Sequence, residues 1–139
     1  MSCLLRILGK DLDVDGLLRR ISIPPNRIWR KDEPRSRTNP TGKSFASSGA
    51  SFVASDADMS EFDRQVEQAT AFLEKHCAQI SAASRFVGVE EASIDFGVTL
   101  RDVAIHSDYL PVELLAVAAK CGLGLEISHY PMTKDAQEI

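Results

Sequence analysis

Two stretches of this 139-residue chain gather side chains that can do chemistry. The first carries Arg27, Arg30, Lys31, Arg35, Arg37 and Lys43 against only Asp32 and Glu33. Its net charge of +4 leaves −8 for the rest of a chain whose formal total is −4. A guanidinium presents donors in a planar fork and takes hold of a carboxylate or phosphate with two bonds at once. Trp29 stands among these cations and can stack on a base or anchor a protein partner. Pro34, Asn39, Pro40, Thr41 and Gly42 interrupt any regular periodicity, so an exposed basic arm or loop is expected over 27–50. The plainer alternative is that Trp29 packs on the fold and the charges solvate a long loop.

The second stretch, Leu100 to Tyr109, holds Asp102, His106 and Asp108, with Ser107 beside them. A histidine near two carboxylates can act as a general base, which makes a small hydrolase or transferase the rival reading. The residues name neither a nucleophile nor an oxyanion cradle. Asp108 or Ser107 is equally suited to satisfying backbone groups where the next helix starts. Thr41-Gly42-Lys43-Ser44 has the tail of a phosphate-binding loop, but Arg37 stands where the first glycine is required and a basic coil precedes it. Nucleotide hydrolysis is excluded on that ground.

The histidines are His76, His106 and His129. His76 and Cys77 are neighbours on a helix and point apart, while Cys121 and His129 belong to different elements. No metal set and no cofactor is expected. Cys3, Cys77 and Cys121 are odd in number and widely spaced among apolar residues, which fits buried thiols rather than a disulfide framework or an activated nucleophile.

The elements that must position these groups follow from hydrophobic spacing. Cys3 to Leu8 predicts a strand, and Asp13 is placed to cap a short helix through Arg20, before Pro24-Pro25 ends it. Arg27 to Arg30 is expected to be extended, and Phe45 to Ser55 a weak strand anchored by Phe52 and Val53. Phe62, Val66, Ala69, Leu73, Cys77 and Ile80 fall on one face of a single long helix, with Ser60 and Asp63 resembling a capping box. Ile94, Phe96 and Val98 alternate with Ser93, Asp95, Gly97 and Thr99 in a half-buried strand. Pro111 opens a last helix through Lys120, with Leu114, Leu115, Val117, Ala118 and Cys121 inward and Gly122 as its left-handed terminator. Leu123, Leu125 and Ile127 alternate in a final strand.

This order predicts an α+β domain over 1–131, a mainly antiparallel sheet of four or five strands with about three helices packed on one face. A flexible tail is expected over 132–139. The uncovered face, or a sheet edge, then offers a surface for a ligand or a second copy. At 44% hydrophobic and 26% charged, the composition is that of one globular domain. No apolar run approaches the roughly 20 residues of a membrane span. Arg6 also interrupts what would have to be a signal-peptide core, so a cytoplasmic protein is expected. The acidic total disfavours nucleic acid as a partner of the whole domain.

Cys121-Gly122-Leu123-Gly124-Leu125-Glu126-Ile127-Ser128-His129-Tyr130, together with Ile21-Ser22-Ile23-Pro24-Pro25, resembles the closing and opening of a family of small bacterial proteins, domain of unknown function 4279. That resemblance spans about Cys3 to Tyr130. It implies a bacterial, cytoplasmic α+β protein without a recognised catalytic motif, of a kind that includes immunity proteins binding a toxin. The expectation is therefore a non-enzymatic protein-binding module that meets an acidic partner through Arg27, Trp29, Arg30, Lys31, Arg35, Arg37 and Lys43. Nucleic-acid binding through the same arm is a lesser alternative.

Overall fold

The structure, a computed structural model, describes residues 2–131. The tail expected over 132–139 lies outside the described residues. The chain forms β1 (Cys3–Gly9), α1 (Val14–Leu18), β2 (Arg27–Trp29), β3 (Ser48–Ser55), α2 (Phe62–Lys75), α3 (Cys77–Ser84), β4 (Glu91–Thr99), α4 (Val112–Lys120) and β5 (Gly124–Tyr130). The strands make one five-stranded sheet in the order β2-β3-β1-β4-β5. Every neighbouring pair is antiparallel except β4 and β5, which are parallel because α4 carries the chain back to the starting end of the sheet. The fold is α+β.

Alternation in β1 decides which side is the core. Cys3, Leu5 and Ile7 are fully buried and face Phe52 and Ala50 of β3 and Ile94 and Phe96 of β4 across the ladders. Leu17, Ala69, Leu73, Ile80 and Leu114 from the helices join the same cluster. The odd set of β1 residues thus meets the helix layer, and Leu4, Arg6 and Leu8 look the other way. Gln65 ties the layers together: fully buried on α2, it donates from Nε2 to the Gly97 carbonyl of β4 at 2.8 Å.

Local signals explain most element ends. Asp13 accepts a hydrogen bond from the Gly16 amide at 3.1 Å and caps α1 as its position predicts. Gly122 ends α4 at φ +76°, and a Cβ there would lie 2.6 Å from the Ser84 hydroxyl. Ser84 Oγ donates to the Cys121 carbonyl at 2.6 Å, so the same hydroxyl fixes the helix end.

Several expectations are corrected. The single long helix is two, broken at His76, whose φ of −110° and ψ of 16° leave the helical region. The buried stripe runs through the break, so spacing alone does not reveal it. Ser60 is not the cap of α2: its hydroxyl donates to Asp58 Oδ1 at 2.6 Å, and Glu61 holds the cap position with no side-chain bond. Ser93 and Gly97, expected on a wet face, are buried; at Gly97 the Met59 and Tyr130 side chains close over that face. Leu115 points outward at 41% exposure beside a fully buried Leu114. α4 is capped by Pro111 backbone alone, with Asp108 and Ser107 playing no part.

The two leucines give a direct check on the helix register. Leu114→Ala should cost about 2–5 kcal/mol in urea unfolding, as expected for a core leucine. Leu115→Ala should cost less than about 1 kcal/mol. Equal losses would place both side chains in the core and contradict the register described.

Candidate functional site

β2 and β3 form a hairpin whose connection, 30–47, carries most of the basic residues. It is narrower than the 27–50 loop expected, because Arg27–Trp29 and the last three residues of that span lie in the sheet. The connection is also more regular than its composition suggests. Asp32 N donates to Phe45 O at 2.9 Å, Phe45 N to Glu33 O at 3.0 Å and Arg35 N to Lys43 O at 2.9 Å. Pro34 and Ser44 form an isolated antiparallel bridge. Asp32 adopts φ +70°, which bends this extension away from the line of β2.

The bend encloses a cleft of about 630 Å³. One wall is Pro25 to Arg30, and the other is Glu33 to Arg37 with Pro40 and Phe45. The aromatic centre is Phe45, with the guanidinium carbons of Arg27 and Arg35 at 5.7 and 5.9 Å from its ring centroid. Trp29 lies 6.4 Å from the same ring and packs over Gly49, where a Cβ would come within 2.5 Å of the indole. Trp29 therefore packs on the sheet and also lines the cleft.

The cations divide into two groups. Arg30 reaches back to α1 and binds Asp15 at 2.6 Å, and Lys31 Nζ stands 3.9 Å from Asp11. These contacts root the arm. Arg27, Arg35 and Arg37 line the cleft without a carboxylate within ion-pair distance among the described residues. Lys43 is exposed outside the cleft and contributes its backbone carbonyl to the hairpin. Sequence reasoning missed Phe45, whose signal was its place as the lone large apolar residue between Lys43 and Phe52. Asp11 and Asp15 were missed as the anchors of the arm.

The second candidate stretch lines a separate cleft of about 560 Å³, together with Met59 to Arg64 and Val98 to Arg101. Asp102, His106, Ser107 and Asp108 all face it. His106 Nε2 is 3.0 Å from Asp108 Oδ2, but the N–H direction misses the carboxylate and no aligned hydrogen bond forms. Asp108 also meets Arg101 at 3.5 Å, and Arg64 meets Glu61 at 3.9 Å. The His129 ring approaches His106 edge-on at 6.4 Å.

The cysteines are less scattered than their spacing suggests. Cys77 and Cys121 Sγ atoms lie 3.4 Å apart, and Cys121 also contacts the Leu73 carbonyl at 3.9 Å. Burial pushes the Cys121 thiol up to about 12, with Cys77 beside it adding to the effect. Cys3 is raised by burial and, to a lesser degree, by the Asp95 charge. Both thiols therefore stay protonated, in keeping with a packing role. Among the described residues no cluster of three or more His, Cys, Asp or Glu is arranged to hold a metal ion, and no helix is long and apolar enough to cross a membrane. The chain matches no family model, no curated protein and no solved structure.

The root of the arm is testable by pH. The Arg30 hydrogen bond holds the Asp15 carboxyl below its ordinary value, with the Arg30 and Arg19 charges adding to the effect. A carboxyl lowered in the folded state contributes above its unfolded pKa and loses that contribution as pH falls through its folded pKa. Carboxyl-carbon NMR should therefore give an Asp15 midpoint below the ordinary aspartate value. In Arg30→Gln the midpoint should rise toward that ordinary value; no movement would remove the contact as the root of the arm.

Proposed function

We propose that this chain is a non-enzymatic binding module that engages an acidic protein through the cleft between β2 and the arm. The observation that carries this reading is the set Arg27, Arg35 and Arg37, which line a concave aromatic surface and have no carboxylate within ion-pair distance among the described residues. Their neighbours Arg30 and Lys31 do have such partners, which supports a division between anchoring and binding cations. Phe45 and Trp29 add the flat apolar surface that partner anchors commonly fill. In keeping with the resemblance to the domain of unknown function 4279 family, we place the protein among bacterial cytoplasmic proteins of immunity type, where neutralising a toxin requires only tight, specific binding.

Replacing Arg35 and Arg37 together by Ala should weaken binding to poly-L-aspartate by at least about tenfold. The slope of log affinity against log salt should also flatten, because fewer ion pairs form. Duplex and single-stranded DNA of equal length serve as the competing ligands. Unchanged affinity and slope would remove the arm as the binding element, and tighter binding to DNA would favour the nucleic-acid alternative.

A second reading keeps one specific observation in its favour: His106 and Asp108 converge at 3.0 Å in a concave cleft rather than on a convex, solvated loop. A hydrolase built on that pair needs a nucleophile aligned on the imidazole, and no hydroxyl among the described residues hydrogen-bonds to His106. Ester or phosphate-ester hydrolysis that falls at least a hundredfold in His106→Ala, with the fold intact by circular dichroism, would establish it. Rates equal to those of the variant would eliminate it.

A further inference from the structure

We propose that the occupant of the basic cleft is an extended acidic segment that adds to the free edge of β2 as a further strand of the sheet. The proposal rests on the cleft being the binding site and specifies the conformation of what binds there.

β2 is the terminal strand of the order β2-β3-β1-β4-β5, so one edge of its backbone has no strand beside it. Successive side chains of a strand point to opposite faces. Arg27, Ile28 and Trp29 nevertheless all line the cleft. A cavity that touches both faces of one strand lies along its edge. The facing wall includes Pro34 and Pro40, which have no amide hydrogen to offer. Along the free edge of β2 the backbone has no neighbouring strand to meet.

Size and charge identify the occupant. The wall from Pro25 to Arg30 corresponds to a run of about six residues, roughly 20 Å when extended, the length of an ordinary strand. Along such a segment every second side chain faces the same side. Carboxylates at alternate positions would meet Arg27 and the arm guanidiniums of Arg35 and Arg37, and the residues between would lie toward Ile28. A second copy of this chain is the poorer occupant, because edge-to-edge pairing of two β2 strands would bring Arg27 of each toward the other. Charged, short edge strands resist self-pairing for this reason. The recognition is strand addition: main-chain bonds supply affinity and side-chain pockets supply selectivity.

The test uses the whole protein and three synthetic octapeptides of alternating glutamate and valine, capped at both ends. One is unmodified, one is N-methylated at its odd-numbered amides, and one at its even-numbered amides. All three carry the same charge. Trp29 is the chain's one tryptophan, so its fluorescence reports binding directly. The unmodified peptide should bind and should slow amide exchange in 27–29 by at least about tenfold. One methylation pattern should weaken binding by about tenfold or more, because it removes the donors that face β2, and the other pattern should bind nearly as the parent. Equal binding of all three, with exchange in 27–29 unchanged, would overturn strand addition. If Arg35→Ala/Arg37→Ala still weakens poly-L-aspartate in that case, the cleft survives as a site for acidic ligands in another conformation. Failure of both the peptides and poly-L-aspartate would overturn strand addition and the binding reading together. Concentration-dependent protection of 27–29 without any peptide would assign the edge to a second copy and overturn the proposal.

Discussion

The position of β1 constrains everything else in this molecule. It is paired along both edges, to β3 and to β4, and its alternation leaves Cys3, Leu5 and Ile7 inside and Arg6 outside. A shift of one residue would turn Arg6 into the helix layer and expose the three apolar residues. Burying an unpaired guanidinium costs far more than any single packing contact returns, so the register is fixed. With the centre fixed, β3 and β4 are determined by their own apolar faces. Only the two outer positions remain, and they go to β5, brought back by α4, and to the three-residue β2.

An outer strand that is short and charged cannot be stabilised by pairing alone. β2 is held by Trp29 packed against Gly49 and by the contacts that fasten the following residues to α1 and the turn before it. Arg30 with Asp15 and Lys31 with Asp11 are exposed pairs, so each contributes modestly to stability. Their effect is geometric: they set where the arm leaves the sheet. The positive φ at Asp32 then turns it, and the hairpin bonds from Asp32 to Phe45 keep the turn in place. The cleft is a consequence of that bend.

The fold was largely legible because its signals are local. The alternation in β4, the stripe along α2, the Asp13 cap and the Gly122 terminator are each properties of a few consecutive residues. What was not legible depends on distant neighbours. The stripe continues unbroken across His76, so periodicity had no means of showing that the helix turns there. Leu115 occupies an inward-looking position by sequence, yet the buried face of α4 is made by Leu114, Val117 and Ala118 and leaves it outside. At the site, the excess of positive charge was visible from composition, and Trp29 with it. The sorting of those cations was not, because it depends on Asp11 and Asp15 from another element. Phe45 was overlooked because its partners, Arg27 and Arg35, approach it only once the hairpin closes.

The contrast between the two clefts supports the proposed choice of the basic arm over the His106 cleft. Around His106 the arginines are met within the chain: Arg101 stands against Asp108, and Arg64 against Glu61. A ligand entering there must compete with contacts that already exist. Around Phe45, Arg27, Arg35 and Arg37 line the open cleft, the first two with their guanidiniums over the aromatic ring. Such groups lose little by meeting a carboxylate, because the geometry is preset and no internal partner is displaced. The acidic remainder of the chain sharpens the same preference, since it lowers the attraction of the domain as a whole for polyanions and leaves the arm as a local positive patch. On the proposed reading, short-range recognition of an extended acidic segment is favoured over long-range capture of a nucleic acid for that reason.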